Sequence, residues 1–391
     1  MVEPAVRARW AQPTSRPKEK LRYSTVLRKI LHAIAVLCWV VRVVFVGRGV
    51  TQLSSLPLYD ASSLEDVDLG LNGGFCPDTS CPIGRTSIRV AADIVKWNPP
   101  SNKLITTHVD DSLSFKMFIR DTTSDTFISG TLAEGRKHDP NVHDLVVRCL
   151  RGKSDAVFID IGANIGYFTG TALAVGAQTI SFEPFYYNAG TIMATIAENG
   201  WGDRSTIYMN VLGYESSRVM MESTNDLINK SNMHITGSQC VDKRIRNDVR
   251  DIDLLYGIHH MEGVSLDQVI ISKHPDMRRV SLMKIDVETY EIHVLNSAMH
   301  TLCNLIVERI VIEVEYLKPS YNLPNPCNFE QLRSTLIQMN YDVLDFDEVK
   351  SYKSVALQQL PGDIIFKLMD VTQSPVNRLR GSMDNPCAQF G

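Results

Sequence analysis

The sequence predicts an α/β fold: a seven-stranded, mostly parallel sheet with helices on both faces. Short apolar runs near 156–161, 178–183, 205–211, 280–286, 306–314, 341–346 and 363–368 alternate with stretches of helical spacing. The first run, Val157 to Ile161, stops at Gly162; the second, from Thr179, ends in an acid, Glu183. A strand, a glycine turn, a helix and a second strand closed by a carboxylate form the nucleotide-binding half of such a sheet.

The elements ahead of the sheet follow from local chemistry. Residues 1–30 are a basic arm, with Arg7, Arg9, Arg16, Lys18, Lys20, Arg22, Arg28 and Lys29 against Glu3 and Glu19. The arm leads into an apolar run over 31–47, which predicts a transmembrane signal-anchor. A spanning helix takes about 20 apolar residues; this run is short, and Arg42 sits towards its end, where a long side chain snorkels outward. The flanking charge predicts a cytoplasmic N-terminus and a lumenal remainder, in the Golgi or endoplasmic reticulum. No clean cleavage site follows, which favours an anchor over a removed signal peptide. An Arg-rich, acid-poor arm also fits mitochondrial targeting, and the run also fits a buried helix. Residues 48–104, rich in Ser, Gly, Pro and Asp, read as a stem.

Over 105–150 the chain reads as a β-hairpin and a lead-in helix. Leu113 to Ile119 alternate apolar and polar, Asp121 to Asp125 turn, and Thr126-Phe-Ile-Ser129 supply the second strand. Helical spacing over 139–151 places Val142, Leu145, Val146 and Cys149 on one face. The main domain is expected over 151–370, with a tail over 371–391. The interval from Gly213 to Gly263 breaks the rhythm and has few apolar residues, so it reads as a surface insertion or a lid. A formal net charge of −4 gives no reason to propose nucleic acid as a partner. Eight cysteines are too few for a disulfide scaffold and show no zinc-type spacing; Cys76 and Cys81 can close a small loop in an oxidising lumen. Asn229-Lys-Ser231 is a glycosylation triplet, a pattern frequent by chance.

The turn itself narrows the nucleotide. A dinucleotide fingerprint needs G-x-G-x-x-G with the pyrophosphate at a helix N-terminus. Here Asp160-Ile-Gly162-Ala-Asn164-Ile-Gly166 has no glycine two positions after Gly162, and it opens with a carboxylate that repels a pyrophosphate. Acids at both strand ends suit S-adenosylmethionine, whose ammonium, sulfonium and ribose hydroxyls they complement. A second acidic segment, Lys284-Ile-Asp286-Val-Glu288-Thr-Tyr-Glu291, falls at the end of the run from Val280, and Glu313 and Glu315 close the next. Open α/β sheets bind ligands at that end of their strands.

The whole pattern resembles the FkbM family of methyltransferases. Its marks appear in order: Asp160-Ile-Gly-Ala-Asn-Ile-Gly166, Phe182-Glu-Pro184, Ser265-Leu-Asp267, Lys284-Ile-Asp-Val-Glu-Thr-Tyr-Glu291 and Ile312-Glu313, over roughly residues 130–370. The resemblance implies a Rossmann-like class I methyltransferase sheet with an antiparallel last strand. It implies S-adenosylmethionine as cofactor and a hydroxyl on a sugar, glycan or other small metabolite as acceptor. Thr289 stands where the family has glycine, and a β-branched residue is disfavoured there if φ must be positive.

In this reading Gly162 and Gly166 permit the close turn, Asp160 and Asn164 face the methionine end, Glu183 takes the ribose hydroxyls and Asn210 lies near adenine. Asp160 has a second reading as a helix-capping acid. Asp286 and Glu288 are expected to be catalytic, as general base for an oxygen acceptor. They can also hold a divalent cation with Glu313, or Glu288 can pair with Lys284 structurally. His293 is expected on a helix surface. Two rival functions are a membrane-tethered, catalytically inactive Rossmann-like binding protein, hinted at by Thr289, and a nucleotide-linked oxidoreductase, disfavoured by the glycine spacing.

Overall fold

Successive residues of a strand face opposite sides of a sheet, so alternation along the apolar runs decides how the layers assemble. A computed structural model of the protein describes Ile88 and residues 103–213, 261–318, 328–379 and 386–387, with backbone alone at 217–223, 233–240, 258–260, Tyr316 and Arg378. The basic arm, the run over 31–47, the 48–104 stem apart from Ile88, Lys103 and Leu104, the Cys76 and Cys81 loop and the Asn229 triplet lie outside the described residues. Among the described residues no helix is long and apolar enough to cross a membrane.

The chain begins with strands β1 (Lys103–Asp110) and β2 (Leu113–Ile119), then helices α1 (Ile128–Ala133) and α2 (Pro140–Leu150). There follow β3 (Val157–Ile161), α3 (Tyr167–Ala174), β4 (Gln178–Phe182), α4 (Tyr186–Asn199) and β5 (Ser205–Tyr208). An excursion holds β6 (Val211–Leu212), β7 (Ser217–Ser223), β8 (Met233–Cys240) and β9 (Ile258–Val264). The second half runs α5 (Leu266–Lys273), β10 (Arg279–Val280), β11 (Leu282–Ile285), α6 (Glu291–Asn296), α7 (Met299–Asn304), β12 (Ile306–Val307) and β13 (Arg309–Glu313). It closes with α8 (Phe329–Gln338), β14 (Tyr341–Leu344), β15 (Asp363–Leu368) and α9 (Pro375–Arg378).

The seven-stranded sheet has the order β14-β15-β13-β11-β3-β4-β5. It is parallel except for β15, which runs antiparallel to both neighbours. All seven predicted runs contribute a strand. Three of them divide: the 205–211 run breaks after Tyr208, with Val211 in β6, and two others break at Ser281 and Glu308, where β10 and β12 pair with each other before β11 and β13 enter the main sheet. Ile159, Ile161, Met283, Ile285, Ile310 and Ile312 bury one face beneath α5, α6, α7 and α8. The intervening Phe158, Leu282, Val311 and Ile365 bury the other with α2, α3 and β2. The predicted α2 face, Val142, Leu145, Val146 and Cys149, lies in that second layer.

Two segments differ from expectation. β2 pairs with the preceding strand β1, while Thr126 to Ser129, expected as its partner, leads into α1. Asp125 explains the difference: its carboxylate accepts from the amides of Ile128 and Ser129 and from the Ser129 hydroxyl, which starts a helix. The outer edge of β2 is closed by α4, with Thr195 and Asn199 bonding the backbone of Phe118 and Lys116. The interval 213–263, expected as irregular surface, carries strands that form a four-stranded sheet in the order β6-β9-β7-β8. The polar composition of the interval as a whole masks these short strands. A disulfide that local spacing could not signal joins buried Cys303 on α7 to buried Cys387, 84 positions further on.

Candidate active site

The C-terminal edge of the parallel strands is built from three turns. After β3 the chain enters the left-handed region at Gly162 (φ +77°) and again at Asn164 (φ +51°). A Cβ at Gly162 would lie 1.8 Å from the Asp286 carbonyl oxygen, so only glycine lets the turn meet the end of β11. The turn is pinned to β4: the amides of Gly162 and Ala163 donate to the Phe182 carbonyl, at 3.0 and 3.1 Å. The Asn164 amide donates to Glu183 Oε2 at 2.8 Å. Gly166 (φ +86°) serves packing instead of ligand approach, since a Cβ there would meet Ile192 on α4 at 2.8 Å.

These turns enclose a cavity of about 400 Å³, within the size range of small-molecule sites. From the β3, β4 and β5 side, Gly162, Asn164, Glu183 and Asn210 line it, with Phe182, Val211 and Leu212 as apolar wall. Glu183 is only 6% exposed. Burial pushes its carboxyl up to about 7, although the amides of Asn164 and Phe185 and the Asn188 side chain all donate to it. Asn164 Oδ1 is a buried acceptor with no hydrogen-bond partner. The Asn210 amide donates to the Glu262 carbonyl at 3.2 Å.

Asp160, expected at the methionine end, does not line this cavity. Alternation turns it with Phe158 to the α3 side, where it is fully buried and accepts from Thr169 Oγ1 at 2.6 Å. Its register partner on β11 is Lys284, whose ammonium lies 3.9 Å from it and 3.0 Å from Asp286 Oδ2. Burial opposes the Lys284 charge, yet Asp286 and Asp160 hold its pKa above the ordinary value. The partner of Lys284 is therefore Asp286 and not Glu288.

Asp286 and Glu288 both line the cavity. They are followed by a turn with two consecutive positive φ angles, Glu288 at +54° and Thr289 at +87°. Such a conformation is costly for side chains with a Cβ. Glu291 holds it: Oε1 accepts from the Val287 amide at 3.0 Å and the Thr289 amide at 3.2 Å. Burial pushes the Glu291 carboxyl up to about 7. His293 is not on the helix surface but 5% exposed beneath Gly213, and burial pulls its pKa down to about 4.

The sequence reading missed three contributors. Asp363, the first residue of β15, lines the cavity opposite Glu313, its register partner. An antiparallel last strand must begin where the parallel ones end, and that signal was present in the sequence. His138 and Asp139 arrive from the turn before α2 and line the cavity as well. Beside them Tyr167, also in the wall, donates to His143 Nδ1 while His143 Nε2 donates to the Val109 carbonyl. Among the described residues no group of three or more His, Cys, Asp or Glu side chains is arranged to hold a metal ion.

A glycine turn, an acid closing the next strand and one antiparallel strand in a seven-stranded sheet define a Rossmann-like methyltransferase domain. Residues 160–343 match the methyltransferase FkbM domain, and this stretch belongs to that family of S-adenosylmethionine-dependent methyltransferases. No curated protein matches the chain. Among solved structures, an O-methyltransferase from Bacillus cereus in complex with SAH is 10% identical, with 64% of this chain and 92% of that one covered and a TM-score of 0.32. The O-methyltransferase TomG from Streptomyces achromogenes, in complex with SAM, is 8% identical over 64% and 92%, with a TM-score of 0.33. TYW2 from P. horikoshii, in complex with MeSAdo, is 15% identical over 69% and 71%, with a TM-score of 0.28.

Proposed function

We propose that the protein is an O-methyltransferase that uses S-adenosylmethionine to methylate a hydroxyl of a sugar, glycan or other small metabolite. The observation that carries this reading is the buried Glu183 carboxylate at the end of β4, beside the glycine turn and on the cavity wall. Its remaining lone pairs accept the two ribose hydroxyls. The unpartnered Asn164 Oδ1 meets the ammonium of the methionine moiety, and Asn210 stands at the adenine side among Val211 and Leu212. The bound cofactor supplies an electrophilic methyl group. The chain supplies position, which accounts for a large part of the rate in such displacements. Asp286 and Glu288 border the acceptor side, with Asp286 held by Lys284.

The turn at Thr289 was the hint towards an inactive binding protein. Glu291 bonds that turn into shape, which favours an intact site over that alternative. Residues 31–47 are read as a single-pass anchor that places the domain in a lumen, and the buried Cys303–Cys387 bond supports an oxidising compartment.

Full-length protein incubated with methyl-labelled S-adenosylmethionine and a panel of methyl glycosides tests the reaction. Label is expected on a hydroxyl of at least one glycoside. Saturable cofactor binding with no transfer to any hydroxyl of an extended alcohol and glycan panel would overturn it.

A further inference from the structure

The acceptor side of the cavity holds a pair of carboxyls with a geometry of its own. Glu313 ends β13 and Asp363 begins β15, and the two are directly opposite in the antiparallel ladder. Opposed residues in such a ladder have Cβ atoms about 4.5–5.5 Å apart and side chains on one face. Both line the cavity, and the next ladder bond, from the Val314 amide to the Gly362 carbonyl at 2.7 Å, fixes their backbones together. Neighbouring carboxyls in a partly desolvated site, with further acids around them, resist ionising together.

The surroundings reinforce that constraint. Asp286 and Glu288 approach from the end of β11, Glu291 from α6, Asp139 and His138 from the turn before α2, and Glu315 from beyond β13. Lys284 is the cation within this set, and its ammonium is committed to Asp286 and Asp160; Lys318, outside the wall, pairs with Glu315. Burial first, then the neighbouring acids, push the Glu313 carboxyl up to about 9 and the Asp363 carboxyl up to about 7. A base works best with a pKa near the working pH.

We propose that Glu313 and Asp363 hold one proton between them at neutral pH, and that the carboxylate left on Asp363 takes the proton of the acceptor hydroxyl. The role rests on the methyl-transfer reading above. In the step, the hydroxyl oxygen bonds the methyl carbon as the carbon–sulfur bond breaks. Sulfur keeps that electron pair, and the O–H proton passes to Asp363. Asp286, already paired with Lys284, orients the acceptor and holds the ammonium.

Two readouts on the full-length protein separate this proposal from the reading beneath it. Infrared titration follows the carboxylic-acid stretch without any acceptor. In difference spectra against wild type, Glu313→Gln should remove one acid band that persists at neutral pH, and Asp363→Asn should remove one of the bands titrating near neutrality, the Glu183 and Glu291 bands remaining. If both carboxyls titrate in the ordinary range, the shared proton is overturned whatever the enzyme does. With a glycoside that accepts label, Asp363→Asn should lower turnover by about 10²–10⁴-fold and remove the acid limb of its pH profile. Asp286→Asn should lower turnover and leave that limb in place. An unchanged limb in Asp363→Asn would overturn the base assignment. No transfer by wild-type protein that binds cofactor counts against the methyl-transfer reading, and the infrared result then judges the pair alone.

Discussion

Glu291 shows how a single buried carboxyl ties stability to the site. It is 1% exposed, one oxygen clamps the left-handed turn through Val287 and Thr289, and the other has no hydrogen-bond partner. Its pKa is raised, from an ordinary 4.5 to about 7, so its contribution to stability is complete below the unfolded value and is lost as pH rises through 7. Glu291→Gln keeps an acceptor oxygen for the turn and removes the titration. Relative to wild type, the variant should gain stability between pH 5 and 8, by at most roughly 3 kcal/mol. Urea unfolding at both pH values checks this, and a difference that does not change with pH contradicts it. That Glu183, Asn164, Asn210, Asp286 and Glu288 would meet at one edge of the sheet could be read from strand-end acids and amides next to a glycine turn, and all five line the cavity. Asp160, expected at the methionine end, stays out of the lining because Thr169 and Lys284 take up its carboxylate, and Lys284 is the side chain that reaches the cavity from that face.

At the scale of elements, the site depends on the close meeting of the β3 turn with the end of β11. Gly162→Ala must place a Cβ against the Asp286 carbonyl and hold a left-handed φ. The combined cost should reach about 3 kcal/mol or more. Denaturant unfolding measures it, and a loss under about 1 kcal/mol would show that the two turns part easily. The parallel strands and their helices could be read from apolar runs, because burial on both faces leaves a continuous signal. The hairpin partner of β2 and the β6–β9 excursion could not. The first was decided by the Asp125 bonds that start α1, and the second consists of short strands set in a long polar interval, where a few alternating apolar residues make a weak signal.

For the whole molecule, topology brings distant segments to one edge. Asp363 lies 50 positions after Glu313, yet the reversal of β15 sets the two opposite each other. Cys303 and Cys387 close a longer span, 84 positions, which restricts the unfolded chain and ties Cys387 to α7. We propose that the cavity at the ends of β3, β4 and β5 binds S-adenosylmethionine through Glu183. Calorimetric titration of the cofactor into full-length wild-type protein and the Glu183→Ala variant decides between binding and its absence. Saturable binding by wild type, lost or weakened at least tenfold in the variant, is the predicted result. No binding by folded wild-type protein, or equal binding by both, would contradict it.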